Sequence, residues 1–138
     1  GLFGEPNQVH YTANVERGID TSGILTMDYT GFKAVCMAAK DCAAPARCII
    51  QGTKGYIQQK STANCCGGIT FHPNEGKEEH YNLNGGRPRQ AAEFEAFARA
   101  LENGDQELCT RMQDTTIAVS RVLTVARRNA GIRFPCDH

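Results

Sequence analysis

The residues best suited to chemistry form one short cluster in the second half of the chain. Glu78-Glu79-His80-Tyr81 is followed closely by two arginines. Histidine changes charge near neutral pH, and guanidinium groups bind anionic or hydroxylated ligands through several donors. The candidate substrate-binding residues are therefore His80, Tyr81, Arg87 and Arg89. A solvated edge strand, whose charges deter aggregation, accounts for the same residue types and is the simpler interpretation.

No catalytic or cofactor-binding residue can be assigned from spacing. The chain has no Ser-His-Asp arrangement, no paired carboxylates that stand out and no G-x-G-x-x-G run. Gly52-Thr53-Lys54-Gly55 has the residue types of a phosphate-binding loop, which must lie between a strand and a helix and close on Gly-Lys-Ser/Thr. Because a strand pattern follows it here, we interpret this segment as a tight turn.

Seven cysteines are the other reactive side chains. No two of them have the C-x2-C or C-x4-C spacing that is typical of structural zinc sites. Cys65 and Cys66 are adjacent, a poor geometry for a tetrahedral site even with a histidine added. Cys36 and Cys48 fall on apolar strand faces, which predicts buried, reduced thiols and no metal. A metal- or thiol-dependent redox protein is a lesser alternative, which metal analysis of the pure protein would test.

The composition is that of a single ordinary globular domain. Fifteen basic residues balance fifteen acidic ones among 138, so no net charge attracts nucleic acid or anionic lipid. No apolar run is long enough to span a bilayer, and no signal peptide is recognisable. These features predict a cytoplasmic protein that binds neither nucleic acid nor membrane.

Strand patterns occupy the first eighty residues. Apolar and polar residues alternate from Val9 to Val15, the period of two of a strand with one wet face. The segment Arg17–Gly23 is predicted as a turn, and further strands follow up to Leu83. Phe32–Ala39 is apolar on both faces, so helices or a partner subunit must cover both. The pattern predicts an open, mainly antiparallel sheet of about six strands.

Two amphipathic helices are predicted to close the chain. The first begins near Pro88 and ends at Asn103-Gly104, and its stripe of Phe94, Phe97 and Leu101 should pack on the sheet. The second runs from about residue 105 or 106 to Asn129 and is stopped by glycine and proline. Strands followed by segregated helices indicate an α+β domain.

Six short segments spread along the chain share their residue types with one enzyme family. They are Leu2-Phe3-Gly4-Glu5-Pro6, Gly18-Ile19-Asp20, Tyr29-x-x-Phe32, Ile50–Ile57, Glu93-Phe94-x-x-Phe97 and Ala130–Pro135. Together they resemble the C-terminal domain of the Gfo/Idh/MocA oxidoreductases. The Gly-Thr-Lys-Gly turn with its flanking strands is the most specific of them.

The resemblance implies a two-domain parent enzyme. An N-terminal Rossmann domain would bind NAD or NADP, and hydride would move between the nicotinamide and a hydroxyl-bearing carbon of a sugar, cyclitol or related diol. Residues 1–138 would be the C-terminal domain, which supplies one wall of the substrate site and pairs subunits through its sheet face. The family's catalytic lysine, in a Glu-Lys-Pro motif, has no counterpart here, because Glu5-Pro6 lacks the lysine.

Two consequences follow from this resemblance. The Rossmann domain would not be part of this chain, and no cofactor is expected to bind the chain alone. The alternative is a non-enzymatic dimerisation or scaffolding module of the same fold, since a fold does not fix a function.

Overall fold

The structure is a computed structural model that describes residues 2–62, 64–82 and 84–137. In this part of the chain, seven strands precede two helices. The elements are β1 (Gln8–Glu16), β2 (Ile19–Tyr29), β3 (Phe32–Ala39), β4 (Cys48–Gly52), β5 (Gly55–Gln59), β6 (Ile69–Pro73), β7 (Glu79–Tyr81), α1 (Ala91–Asn103) and α2 (Gln106–Asn129). The α+β class and the two C-terminal helices predicted from the sequence are confirmed. The predicted end of the last strand, Leu83, lies outside the described residues.

The chain divides into two compact units. The first contains Gly1–Ala43 and Gln106–His138, and the second contains Ala44–Asp105. Within the described residues, the first unit holds the sheet β1-β2-β3 and the second holds β4-β5-β6-β7. The strands therefore form two open antiparallel sheets, where the sequence indicated one sheet of about six strands. The segment between β3 and β4 contains Pro45, which has no backbone N–H to donate to a ladder.

Helix α2 covers one face of the first sheet. Val9, Tyr11 and Ala13 are half-buried on that face, whereas the polar residues between them are exposed, as the period-two pattern predicts. The Asn129 side-chain amide donates a 2.8 Å hydrogen bond to the carbonyl of Val9. This contact fixes the end of the helix against β1.

Strand β3 is the edge of the first sheet and is largely uncovered. Val35 is 59% exposed and Met37 is 76% exposed. Among its eight residues only Ala34 is half-buried. The sequence requires apolar cover for this strand, and the described residues of this chain do not supply it.

The second sheet has two chemically different faces. Because directly paired residues share a face, the register places Ile50, Ile57 and Phe71 in one apolar row. The opposite face is mostly polar: Gln51, Tyr56, His72, Ile49, Gln58, Thr70 and His80. The alternation along each strand therefore separates a largely apolar face, which also carries Gln59 and Glu79, from a mostly polar one.

Helix α1 begins three residues later than predicted, after a turn at residues 89–90. It ends as expected at Gly104, which adopts a left-handed conformation with φ 60°. Phe94 and Leu101 are 67% and 82% exposed, so the prediction that this stripe packs on the sheet is wrong within the described residues. Only the small side chain of Ala100 reaches a buried position in this helix, which leaves the large apolar groups without cover.

Helix α2 has the bounds predicted from the sequence, and the glycine and proline after it explain its end. Ala126 is buried, whereas Val119 and Leu123 are 52% and 59% exposed. Neither helix in the described part of the chain combines the length and hydrophobicity needed to cross a membrane.

Candidate functional site

The two predicted site residues on β7 lie on opposite faces of the second sheet. His80 pairs with Thr70, and its Nδ1 lies 3.1 Å from the Thr70 hydroxyl oxygen. The Tyr81 hydroxyl donates to the carboxylate of Glu79, which raises the pKa of Tyr81. Successive side chains of a strand alternate in direction, so His80 and Tyr81 do not meet on one surface. A role in substrate binding stays a prediction for both.

The two predicted arginines lie between β7 and α1. The Arg87 guanidinium forms an ion pair with Glu95 in the first turns of α1 and lowers the pKa of that carboxyl. Arg89 lies in the turn immediately before the helix. An anionic ligand at Arg87 would have to displace Glu95, whereas a hydroxylated ligand could share the guanidinium donors with it.

A cluster around His72 occupies the polar face of the second sheet. The rings of Tyr56 and His72 stack with centroids 4.4 Å apart and planes 12° apart. His72 Nδ1 lies 2.8 Å from a carboxylate oxygen of Glu78, and the imidazole is 13% exposed. Its Nε2 is buried and has no hydrogen-bond partner among the described residues. An unsatisfied buried group costs about 1–3 kcal/mol, so this nitrogen is a position that a ligand or a partner could satisfy.

Sequence reasoning assigned no site role to the His72 cluster. Tyr56 and His72 are sixteen positions apart in the sequence, and only the β5–β6 register brings them together. The available signal was the period-two pattern on each strand, which places Thr70 with His72 and Tyr56 with Gln58. That pattern does not give the register, so it could not find the pair.

The first unit contains a second hydrogen-bonded cluster, formed by Tyr11, Asp20 and Lys40. The Tyr11 hydroxyl donates to Asp20 Oδ2 at 2.9 Å, and Lys40 Nζ donates to Asp20 Oδ1 at 3.0 Å. Burial, followed by the Asp20 carboxylate, raises the pKa of Tyr11. The lysine, followed by the tyrosine, lowers the pKa of Asp20. A phenol that keeps its proton is a donor and not a base, so this cluster holds strands together.

The position of Asp20 within a strand shows that one prediction from the sequence is wrong. The segment Arg17–Gly23 was expected to be a turn, but β2 begins at Ile19 and includes Asp20. The turn is limited to Arg17 and Gly18, which both have positive φ. Ile19, Asp20, Ser22 and Gly23 pair with β1 across a register shift and extend the ladder.

An open apolar groove of about 670 Å³ also lies in the first unit. It runs between the N-terminal segment, β2 and α2, and its lining includes Leu25, Met27 and Val122. Charged and hydroxyl groups, among them Asp114 and Arg121, also line the groove. The groove and the polar face of the second sheet are thus both able to contact a ligand through hydrogen bonds.

The cysteines and acidic residues do not assemble into a metal centre in residues 2–62, 64–82 and 84–137. No group of three or more His, Cys, Asp or Glu side chains there could hold an ion. All seven cysteines are free and exposed. The predicted burial of Cys36 and Cys48 is wrong, because β3 and β4, the strands that carry them, are exposed.

Comparison with known proteins identifies relatives over nearly the whole chain. No family model matches it. It is 26% identical over 137 residues to the scyllo-inositol 2-dehydrogenase (NADP(+)) IolU of Bacillus subtilis (strain 168). It is 29% identical over 141 residues to YgjR of Escherichia coli (strain K12), an uncharacterized oxidoreductase. The chain is a distant homologue of the Gfo/Idh/MocA oxidoreductases.

This homology confirms the resemblance predicted from the six sequence segments. Each alignment covers 99% of the chain but only 42% and 41% of the two relatives. The chain thus spans about two fifths of the length of these relatives and corresponds to the C-terminal part of NAD(P)-dependent oxidoreductases. Because the alignments cover 99% of the chain, both units of the fold belong to the region shared with Gfo/Idh/MocA enzymes.

Proposed function

We propose that this chain is the substrate and oligomerisation part of an NAD(P)-dependent oxidoreductase. The enzyme would transfer hydride between the nicotinamide and a hydroxyl-bearing carbon of a sugar, cyclitol or related diol. The observation that carries this proposal is that 99% of the chain aligns with about two fifths of the length of each of two oxidoreductases. One of them is a scyllo-inositol 2-dehydrogenase. The rest of such a relative is long enough for a cofactor domain.

The described strands of this chain do not form the parallel βαβ unit of a dinucleotide-binding domain, because all of their pairs are antiparallel. A pyrophosphate site needs a glycine-rich turn that leads from a strand into a helix N-terminus. The Gly-Thr-Lys-Gly turn instead joins β4 to β5, which pair antiparallel from Cys48 with Gln59 to Gly52 with Gly55. In this proposal, an N-terminal Rossmann domain of the parent enzyme binds the cofactor.

The polar face of the second sheet supports a hydroxylated substrate. Gln58, Thr70 and His80 form one cross-strand row of amide, hydroxyl and imidazole groups. Each can donate to or accept from a hydroxyl, and none requires a charge on the ligand. Arg87 and Arg89 follow directly after this sheet and add donors for a polyol.

The activity test compares the complete enzyme with the chain alone. The complete protein should reduce NAD or NADP in the presence of scyllo-inositol or another cyclitol, sugar or diol, as followed by nicotinamide absorbance. Residues 1–138 alone should give no turnover. Turnover by the isolated chain, or none by the complete protein across these substrate classes, would reject the proposal.

Replacement of His80 by alanine in the complete enzyme tests the predicted site. We expect KM for the hydroxylated substrate to rise about tenfold with little change in kcat, because a binding contact is lost without loss of a catalytic group. Lys77→Ala, in the loop before β7, is the control and should leave both constants unchanged. Unaltered kinetics in the His80 variant would remove this residue from the site.

The oligomeric part of the proposal rests on the exposed face of β3. The register puts Ile24 beside Met37 and Thr26 beside Val35, on the face opposite the one that α2 covers. Ile24, Val35 and Met37 are 47%, 59% and 76% exposed. Apolar groups gathered on one open face mark an interaction surface. A second copy of the chain, related by a two-fold axis, would bury this face against its own counterpart.

Met37→Glu should prevent this association. A carboxylate at the most exposed position of the face would be desolvated in the dimer, and we expect the dissociation constant to rise about 100-fold. Leu101→Glu, an equally exposed apolar residue on α1, is the matched control and should dimerise as the wild type does. Sedimentation over a range of concentrations measures both. A wild-type chain that stays monomeric at every concentration would contradict the interface.

The non-enzymatic module remains the second candidate, favoured by the lack of an assignable catalytic residue in this chain. It predicts a complete protein that dimerises through β3 but never turns over NAD or NADP. The activity and sedimentation tests together therefore separate the two functions.

A further inference from the structure

The loop between β5 and β6 presents two adjacent thiols that the proposed enzyme function does not use. Cys65 and Cys66 are both free and exposed. Adjacent Cα atoms are about 3.8 Å apart across a trans peptide, so both sulfurs can reach one small centre. The other five cysteines occur singly along the chain, so no other pair is adjacent.

The backbone at this pair is held, although the side chains are open to solvent. The Cys65 N–H donates to the Thr62 carbonyl at 2.9 Å, and the Ser61 hydroxyl donates to the Cys65 carbonyl at 2.7 Å. The Cys66 carbonyl accepts from the side-chain amide of Asn84. These bonds tie the dipeptide to the start of its own loop and to the segment after β7, so little backbone order has to be gained when a ligand binds.

The backbone at Cys65 and Cys66 is not extended as in a strand, where the two side chains would point in opposite directions. In a strand, neighbouring side chains point to opposite faces. Residues 65–68 are not in a strand, and the Gly67 N–H donates to the Cys65 carbonyl at 2.9 Å, which closes a three-residue turn centred on Cys66. A turn at this point removes the constraint that would keep two strand cysteines apart.

We propose that Cys65 and Cys66 form a dithiol site for a soft, thiophilic ligand of the trivalent arsenical class. Soft thiolate ligands select soft centres over hard cations such as magnesium or calcium. With phenylarsine oxide, two As–S bonds form and the As=O bond breaks. The oxygen leaves as water with the two thiol protons, so no oxidant or reductant is needed.

The site lies beside the segment that carries a predicted substrate residue. Asn84, whose side chain bonds the Cys66 carbonyl, also accepts a 2.9 Å hydrogen bond from the Arg87 N–H through its own carbonyl. A ligand that bridges the two thiols would therefore bind next to Asn84, which itself contacts Arg87. The inference itself does not depend on the oxidoreductase function.

Phenylarsine oxide and the chain reduced with a thiol-free reductant provide the test. Intact mass should show one phenylarsenic group per chain, and proteolytic mapping should place it on the peptide with Cys65 and Cys66. A dithiol should remove it at concentrations where a monothiol does not. Cys65→Ser or Cys66→Ser should each weaken binding about 100-fold, because the effective concentration of the second thiol is lost.

Cys42→Ser is the matched control, since Cys42 is also an exposed loop cysteine, and its binding should be unchanged. An adduct that maps to other cysteines, a wild type that takes up no arsenical, or undiminished binding by the Cys65→Ser/Cys66→Ser double variant would overturn the proposal. Circular dichroism reports whether the variants fold. If the variants do not fold, the proteolytic mapping of the phenylarsenic group on the wild-type chain decides whether the proposal holds.

Discussion

Replacement of Gly55 by alanine should destabilise the second unit by about 3 kcal/mol. Gly55 has φ 144°, a conformation that a side chain strains. An added Cβ would lie 2.2 Å from the carbonyl oxygen of His72 and 2.8 Å from the Cα of Pro73. Both are backbone atoms of β6, so the strand itself must move. Urea unfolding followed by circular dichroism and amide exchange of β5 and β6 measure the loss.

Gly52→Ala is the matched control at the other end of the same turn. Its added Cβ would meet only the Gly55 carbonyl oxygen, at an ordinary 3.7 Å, and its φ is not positive. We expect a change below about 1 kcal/mol. Equal unfolding midpoints for the two variants would contradict the close approach of β5 and β6, and with it the placement of His72 beside Tyr56.

Asp137→Asn should lower the thermal midpoint by more than about 5 °C. The Asp137 carboxylate is 5% exposed and accepts hydrogen bonds from Arg127, from Arg128 at 3.0 Å and from the Phe134 N–H at 2.8 Å. An amide keeps the shape but loses the charge, which leaves the largely buried Arg127 guanidinium without its counter-ion. Scanning calorimetry of the two proteins at neutral pH gives the difference.

The same carboxylate predicts a pH dependence. Hydrogen bonds from Arg127, then from the Phe134 N–H, hold the pKa of Asp137 well below its usual range. The pKa of Asp137 is lower in the folded state than in the unfolded state. The ionised carboxylate therefore contributes its full stabilisation above about pH 4, the unfolded pKa, and this stabilisation is lost as the pH falls toward the folded pKa. The stability gap between wild type and Asp137→Asn should therefore narrow in acid.

Asp28→Asn is the control for this pH dependence. Asp28 pairs with Lys33 at 3.0 Å, but both side chains are well exposed, and such pairs contribute little. Its thermal midpoint should stay close to that of the wild type at all pH values. A gap for Asp137→Asn that is small, or independent of pH, would show that the carboxylate does not fasten the C-terminal segment.

Local patterns predicted the elements of the fold well. The alternation at Val9, Tyr11 and Ala13 identified β1 and its inner face, and the glycine after Asn129 located the end of α2. These signals succeed because strand period and helix termination depend on neighbours in the sequence. The division into two sheets was not predicted, because it depends on which strands pair across long loops.

The main error of the sequence analysis was to expect that other elements of this chain bury the apolar faces. Phe94 and Leu101 have the spacing of a packed helix face, yet they are exposed in this chain. Periodicity shows that a face is apolar but not whether its partner lies in the same chain. The same limit applies to Cys36 on β3.

The two candidate clusters of the second sheet differ in how far the sequence reveals them. His80 and its acidic neighbours were recognised because they are contiguous, and the arginines because they follow closely. The stacked pair of Tyr56 and His72 depends on strand register, which no local pattern gives. The family resemblance does not supply this register, but it rested on segments from the whole chain and predicted the homology that the comparisons found.

The most direct measurement is to read the native coding sequence upstream of Gly1. The proposed function predicts a reading frame that encodes a strand, a G-x-G-x-x-G turn and a helix, and later a Glu-Lys-Pro motif, continuous with this chain. A start codon directly before Gly1 would contradict it, because no cofactor domain would then share the polypeptide, and an interaction module would be the better description.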